Sequence, residues 1–245
     1  MVGMGEKRLL SNGPHGGWSA LGEAAEDTLK AVYKLCATEK RVSTSALAIE
    51  LGVSEPTATA MVKRLAKLGL LNHTPYHGAE LTPAGEMAAL EIIRHHRLLE
   101  LYLVKALGLS WDKVHAEADR LEHVISDELE DRIDAVLGFP AEDPHGDPIP
   151  TKDGRIAEPP VTSLVDMEPG ERAIIRLVPD GDAGLLRYLA ELGLVPNGEV
   201  ELLEKVPFGG PIILKVGEER RIVGRELAAT IRIGDVVSPG SDGRG

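Results

Sequence analysis

Up to about residue 137, apolar side chains recur at helical spacing; beyond residue 170 they alternate. Leu29, Val32, Tyr33 and Cys36 share one face and predict a helix over residues 23–38, with Cys36 a buried core residue. Two short helices follow. Ser43 caps residues 44–51, Gly52 supplies a turn, and Ser54 caps residues 55–68, with Pro56 tolerated in the first turn. Residues 70–74 and 79–82 form a hairpin around Tyr76-His77-Gly78. Helical periodicity resumes at Pro83 and runs to about Leu137, broken at Gly108-Leu109-Ser110. Residues 138–160 hold six prolines and three glycines and read as a linker. Strands follow over residues 172–178, 199–206, 212–216 and 231–237, interrupted by a helix over 183–192.

This pattern predicts a mainly α chain with a β-rich C-terminal domain, the latter a small, partly open barrel. Its expected divisions are a disordered Gly-rich tail (1–21), a winged helix-turn-helix (22–90), a helical domain (91–140), a Pro-rich linker (141–161) and the β-domain (162–240). Helix, Gly-centred turn and a second helix opening on small hydroxyl residues form the helix-turn-helix pattern, which the hairpin completes as a wing. In that second helix Ala58, Met61, Val62, Leu65 and Leu68 pack inward. Ser54, Pro56, Thr57, Thr59 and Ala60 are short enough to approach base edges, and Lys63, Arg64 and Lys67 can meet phosphates. Leu98, Leu99, Leu101, Tyr102, Val104 and Leu107 suit either a dimer interface or an internal core.

Net charge is −12, which disfavours indiscriminate nucleic-acid binding, but it is unevenly spread. Residues 40–73 carry five basic and two acidic side chains; residues 111–135 carry nine acidic and three basic. A single cysteine excludes an internal disulfide framework and a cysteine-rich zinc site. Without a membrane-length apolar run or a signal-like amino terminus, the expectation is a cytoplasmic protein with no membrane partner.

The acidic stretch carries the chemistry. Read as one helix, residues 115–124 place His115, Asp119, Glu122 and His123 on one face. His96 and Glu100 repeat the four-residue spacing on the preceding helix. Two such helices could close around a divalent cation, while a solvated acidic face pairing with its own histidines is the plain alternative. Asp27 and Glu26 read by themselves as first-turn carboxylates favourable to the helix dipole. A helical di-metal enzyme would need Glu-x-x-His on two helices; Glu122 and His123 are adjacent, so no catalytic residue is expected. A metal-independent winged-helix regulator with an organic ligand is the other rival.

The segments RHHRLLELYL, DKVHAEADRLEHVISDELEDRI and DPHGDPIP stand in the order and spacing of the diphtheria toxin repressor family, which this chain resembles from Glu26 to about Pro239. The tail, with LAELGLVPNGEVELLEKV, PIILKVG and ATIRIGDVV, resembles that family's SH3-like domain. The resemblance implies a homodimeric repressor that binds operator double-stranded DNA when loaded with Fe(II) or Mn(II), other divalent transition metals serving in vitro, and no small-molecule substrate. It places a primary metal site on Asp27, Asp119, Glu122 and His123 and an ancillary one on His96, Glu100 and His115. In the manganese branch, His96 and the carboxylates at 119 and 122 share two nearby ions instead. Iron-type members carry Cys at 119 and Met at 27, so the two aspartates here favour Mn(II). Where the manganese branch has a further carboxylate one turn after Asp27, this chain has Lys30. Iron-type members also draw ligands from the SH3-like domain, for which Asp180 or Asp182 is nearest. Ala60 replaces a groove-facing Gln, so operator preference does not transfer.

Overall fold

The computed structural model describes residues 21–238 except 38, 159 and 161. The expected tail over residues 1–20 lies outside these. Leu21, expected to belong to it, is instead buried, and its carbonyl accepts a hydrogen bond from Arg64 Nη2 at 3.2 Å. The chain forms two compact units. Of the described residues, the first comprises those up to Leu99 with Ala118–Phe139 and Ile149–Ile156; the second comprises Glu100–Glu117, Pro140–Pro148 and those from Ala157 to Ser238.

The first unit begins with α1 (Glu23–Cys36), α2 (Thr44–Glu50) and α3 (Glu55–Lys67). Ser43 and Ser54 are the N-caps of α2 and α3, accepting from the backbone N–H of Ala46 and Thr57. Leu29, Leu47, Leu65 and Leu70 are fully buried where these helices meet, each contributing about 2 kcal/mol or more of apolar transfer. Cys36, expected in the core, is only half-buried at its margin, because it occupies the last turn of α1. The wing is β1 (Leu71–Thr74) paired antiparallel with β2 (Gly78–Leu81), and Val42 exchanges two 2.8 Å backbone hydrogen bonds with Ala79.

Helix α4 (Pro83–Lys105) leads to α5 (Val114–Leu121) and α6 (Asp127–Leu137). Helix α5 stops at Leu121, so Glu122 and His123 sit in a turn, contrary to the single helix expected through Val124. Glu122 keeps its helical bond to Ala118, but the Val124 N–H closes on Leu121 instead, and Ser126 then caps α6. Leu98, Leu99 and Leu101 are buried within the single chain, so they are core residues; Tyr102 and Val104 are half-buried and Leu107 is exposed. The Pro-rich segment is packed as well as connecting: Asp143, His145 and Ile149 are buried along it.

The second unit is built on a five-stranded antiparallel sheet ordered β6-β5-β4-β3-β7, from β3 (Arg172–Leu177), β4 (Glu199–Lys205), β5 (Ile212–Val216), β6 (Glu219–Val223) and β7 (Arg232–Val237). Helix α7 (Ala183–Leu192) and the one-turn α8 (Arg225–Ala228) pack with it. The alternation missed β6, an edge strand whose Glu219-Arg220-Arg221 opening is polar on both faces. Among the described residues, no helix is long and apolar enough to cross a membrane.

Candidate metal centre and DNA interface

In the first unit, α1 and the end of α5 bring together residues nearly a hundred positions apart. His123 Nε2 lies 3.2 Å from Asp27 Oδ1 and 3.6 Å from Glu122 Oε1. Its other nitrogen, Nδ1, is 2.6 Å from Glu26 Oε2. A carboxylate on Nδ1 fixes the ring and turns Nε2 toward the cluster, the arrangement in which histidine serves as a metal ligand. Glu26 is therefore a buried positioning residue, although first-turn placement alone had explained it from the sequence. Glu23, Asp27 and His123 each offer a donor atom, and the three atoms lie within 4.8 Å of one another. Burial pushes the Asp27 carboxyl up, against the opposing pull of His123 and Lys30.

Glu122, fully buried in its side chain, stands at the middle of this cluster. Its Oε2 is 2.5 Å from His96 Nδ1, and His96 Nδ1 lies 3.3 Å from Asp119 Oδ1. Thus Asp27, His96, Asp119, Glu122 and His123 gather in one unit. Lys30 enters the same group, 2.8 Å and 3.0 Å from the two Glu122 oxygens and 3.0 Å from Asp119 Oδ1. Burial would lower its pKa, but Glu122 and Asp119 outweigh that and raise it. The donors are carboxylates and imidazoles without sulfur, a set that suits Mn(II) or Fe(II).

The second unit holds a cluster of its own residues. Glu100 Oε1 is 3.0 Å from His115 Nδ1, and Asp180 Oδ2 is 3.8 Å from that same nitrogen. His145, quoted above only within a motif, joins them: Glu100, His145 and Asp180 present donor atoms within 4.8 Å of one another. The His145 ring is fully buried, with Nε2 3.0 Å from the Trp111 carbonyl oxygen and Nδ1 3.7 Å from Glu100 Oε2, too far for a hydrogen bond. Among the described residues, that nitrogen has no hydrogen-bond partner, which fits a position made for a cation. Burial would depress the imidazole pKa, yet Glu100 and Asp143 hold it up at about 9. Asp143 Oδ1 accepts from the backbone N–H of His145 and Asp147, shaping the loop. Gly146 follows at φ 94, where a Cβ would meet the Arg176 carbonyl oxygen, so no other residue fits. Of the two aspartates considered in the β-domain, Asp180 joins the cluster, whereas Asp182 caps α7 through Gly184 and Leu185. The sequence signal for His145 was its place in the segment DPHGDPIP, between prolines and next to a glycine.

On α3, Ala58, Val62 and Leu65 face the core. Ser54, Pro56, Thr57, Ala60, Lys63, Arg64 and Lys67 are exposed, and Thr59 is half-exposed. Arg64 also donates to the Leu21 carbonyl, so Lys63 and Lys67 are the less encumbered cations. The wing tip presents Tyr76 fully to solvent at φ 66.

Three family profiles match in order: the iron dependent repressor N-terminal DNA binding domain over residues 20–79, the iron dependent repressor metal binding and dimerisation domain over 82–151, and the FeoA domain over 162–234. The iron-dependent repressor IdeR of Mycobacterium leprae is 33% identical over 224 residues, spanning 86% of this chain and 96% of that protein. The diphtheria toxin repressor of Corynebacterium glutamicum is 31% identical over 222 residues, with the same shares. A solved manganese-dependent transcriptional repressor in complex with manganese is 39% identical, with a TM-score of 0.78 over 85% of this chain and 98% of that one. ScaR with bound Cd2+ is 30% identical, with a TM-score of 0.74 over 86% and 98%. A DNA-binding domain, a metal-binding and dimerisation domain and a FeoA domain in this order, with identity sustained along the chain, show that it belongs to the iron-dependent repressor family, that of the diphtheria toxin repressor.

Proposed function

We propose that this chain is a manganese-responsive transcriptional repressor, working in the cytoplasm as a homodimer that binds operator DNA when its metal site is filled. The observation that carries the reading is the meeting of Asp27 with Glu122 and His123. Asp27 lies on α1, which packs against α2 and α3 of the helix-turn-helix. Glu122 and His123 lie between α5 and α6, outside that module. Asp27, Asp119, Glu122 and His123 would hold the ion, with Glu26 orienting His123 and His96 beside Glu122. When bound, the metal supplies positive charge that draws these carboxylates together. The residues then fix the orientation of the DNA-binding helices relative to the helical domain, so that two recognition helices match successive major grooves. No catalytic role is assigned.

Oxygen donors at positions 27 and 119 support Mn(II), and Fe(II) remains the second reading because curated relatives are iron-dependent repressors. Anaerobic operator titration at matched free metal separates the two. Native protein should respond to Mn(II) at least as well as to Fe(II). Asp119→Cys should move the response toward Fe(II), Co(II) or Zn(II) and weaken that to Mn(II). An unchanged Mn(II) response would remove Asp119 from the ligand set.

A further inference from the structure

The ammonium of Lys30 lies where a cation is wanted. Three of its neighbours, Asp119 Oδ1 and both oxygens of Glu122, sit at hydrogen-bond distance, one for each N–H it can donate. The fourth, His96 Nδ1, is 3.5 Å away. The same atoms would have to coordinate any metal bound in this half of the cluster. The other half, Glu23, Asp27 and His123, has its donor atoms grouped within 4.8 Å, and Glu122 borders both halves through its contacts with Lys30 and His123.

We propose that Lys30 is a tethered cation that stands in for a metal ion between His96, Asp119 and Glu122, so that this cluster takes a single ion, on the Asp27–His123 side. This rests on the metal-dependent reading above. Two consequences follow from charge alone. The ammonium fills the place between His96, Asp119 and Glu122 that a second ion would take, and two cations that close repel, so Lys30 excludes a second ion while Asp119 and Glu122 can still border the first. Before any metal arrives, Lys30 also offsets the repulsion of the buried carboxylate of Glu122 against Asp119, so this part of the cluster is assembled in advance. The metal-controlled step is thereby confined to Asp27 and its neighbours on α1.

The test counts ions. Native full-length protein, Lys30→Glu and Lys30→Gln are equilibrated with Mn(II) and with Cd(II), and bound metal per chain is read by equilibrium dialysis and native mass spectrometry. Thermal unfolding of the metal-free forms is followed in parallel. Lys30→Glu should bind one ion per chain more than native protein, and His96→Ala in that background should remove the addition. Lys30→Gln should lower the metal-free unfolding midpoint and enlarge the rise produced by metal. Equal ion counts in native protein and Lys30→Glu would overturn the proposal, because the lysine would then simply swing away. An unchanged metal-free midpoint in Lys30→Gln would overturn the pre-assembly. Failure of native protein to bind any ion would overturn the metal-dependent reading as well, which distinguishes the two.

Discussion

His123 is held by a carboxylate on the side of its ring away from Asp27 and Glu122. Glu26 Oε2 sits 2.6 Å from Nδ1, so Glu26→Gln keeps the size and removes the charge that holds the ring. Carboxylates behind ligating histidines typically contribute about 10–100-fold in metal affinity. We expect Glu26→Gln to weaken Mn(II) binding on that scale, read by competition with a fluorescent chelator, with the fold retained. Unchanged affinity would mean that Nε2 is not the coordinating atom. Glu130 shows the same economy in a structural role. Burial pushes its carboxyl up, but His95 and Arg94 overcome this and hold it at about 2, below its ordinary 4.5. A depressed carboxyl stabilises the fold above its unfolded pKa, and that contribution is lost as pH falls from about 4.5 toward about 2. In Glu130→Gln the acid side of the stability profile should therefore be flatter between those values, as measured by urea unfolding at a series of pH values.

At the scale of the element, the ends of helices decide where the candidate ligands fall. Helix α6 begins at Ser126, whose Oγ accepts from the Leu129 N–H, directly after the turn that carries Glu122 and His123. Ser126→Ala should cost about 1 kcal/mol, seen as a lower denaturant midpoint at constant slope. Helix α3 puts its apolar stripe inward and leaves Lys63 clear of internal contacts among those described. If Lys63 meets a phosphate, Lys63→Ala weakens operator binding uniformly across sequences and reduces the steepness of its salt dependence by roughly one unit. The measurement is operator affinity at several salt concentrations, and an unchanged slope would place the DNA elsewhere.

For the whole molecule, the proposed function links metal and DNA through one site, and on that reading each must tighten the other's binding by the same factor. Asp27→Ala should break that linkage. The variant should still bind metal at the Glu100–His145–Asp180 cluster, but Mn(II) should no longer improve its operator affinity. Metal present at about 100 times its dissociation constant should stabilise native protein by roughly 2.7 kcal/mol for one linked site. The increment for Asp27→Ala should be smaller, and calorimetric unfolding with and without Mn(II) would reveal an equal increment if Asp27 were not a ligand.

Periodicity along the chain determined a good deal unaided. Leu29, Val32, Val62 and Leu65 declared the inward faces of their helices, Ser43 and Ser54 their starts, and Ile212 to Val216 a strand, because each signal is a local relation between spacing and burial. Asp119, Glu122 and His123 were legible as candidate ligands through spacing and resemblance, and Asp27 through resemblance alone. The partners of those residues were not. Glu26 looked like an ordinary first-turn carboxylate until α1 was packed beside His123, and Lys30 looked like a missing ligand until its ammonium was found between Asp119 and Glu122. His145 was one residue in a proline-rich stretch until packing buried it against Glu100, and Asp180 and Asp182 were equivalent until one of them capped α7. Spacing encodes which side of an element turns inward. Which charges meet there depends on residues far apart in sequence, and only the packed chain sets those distances.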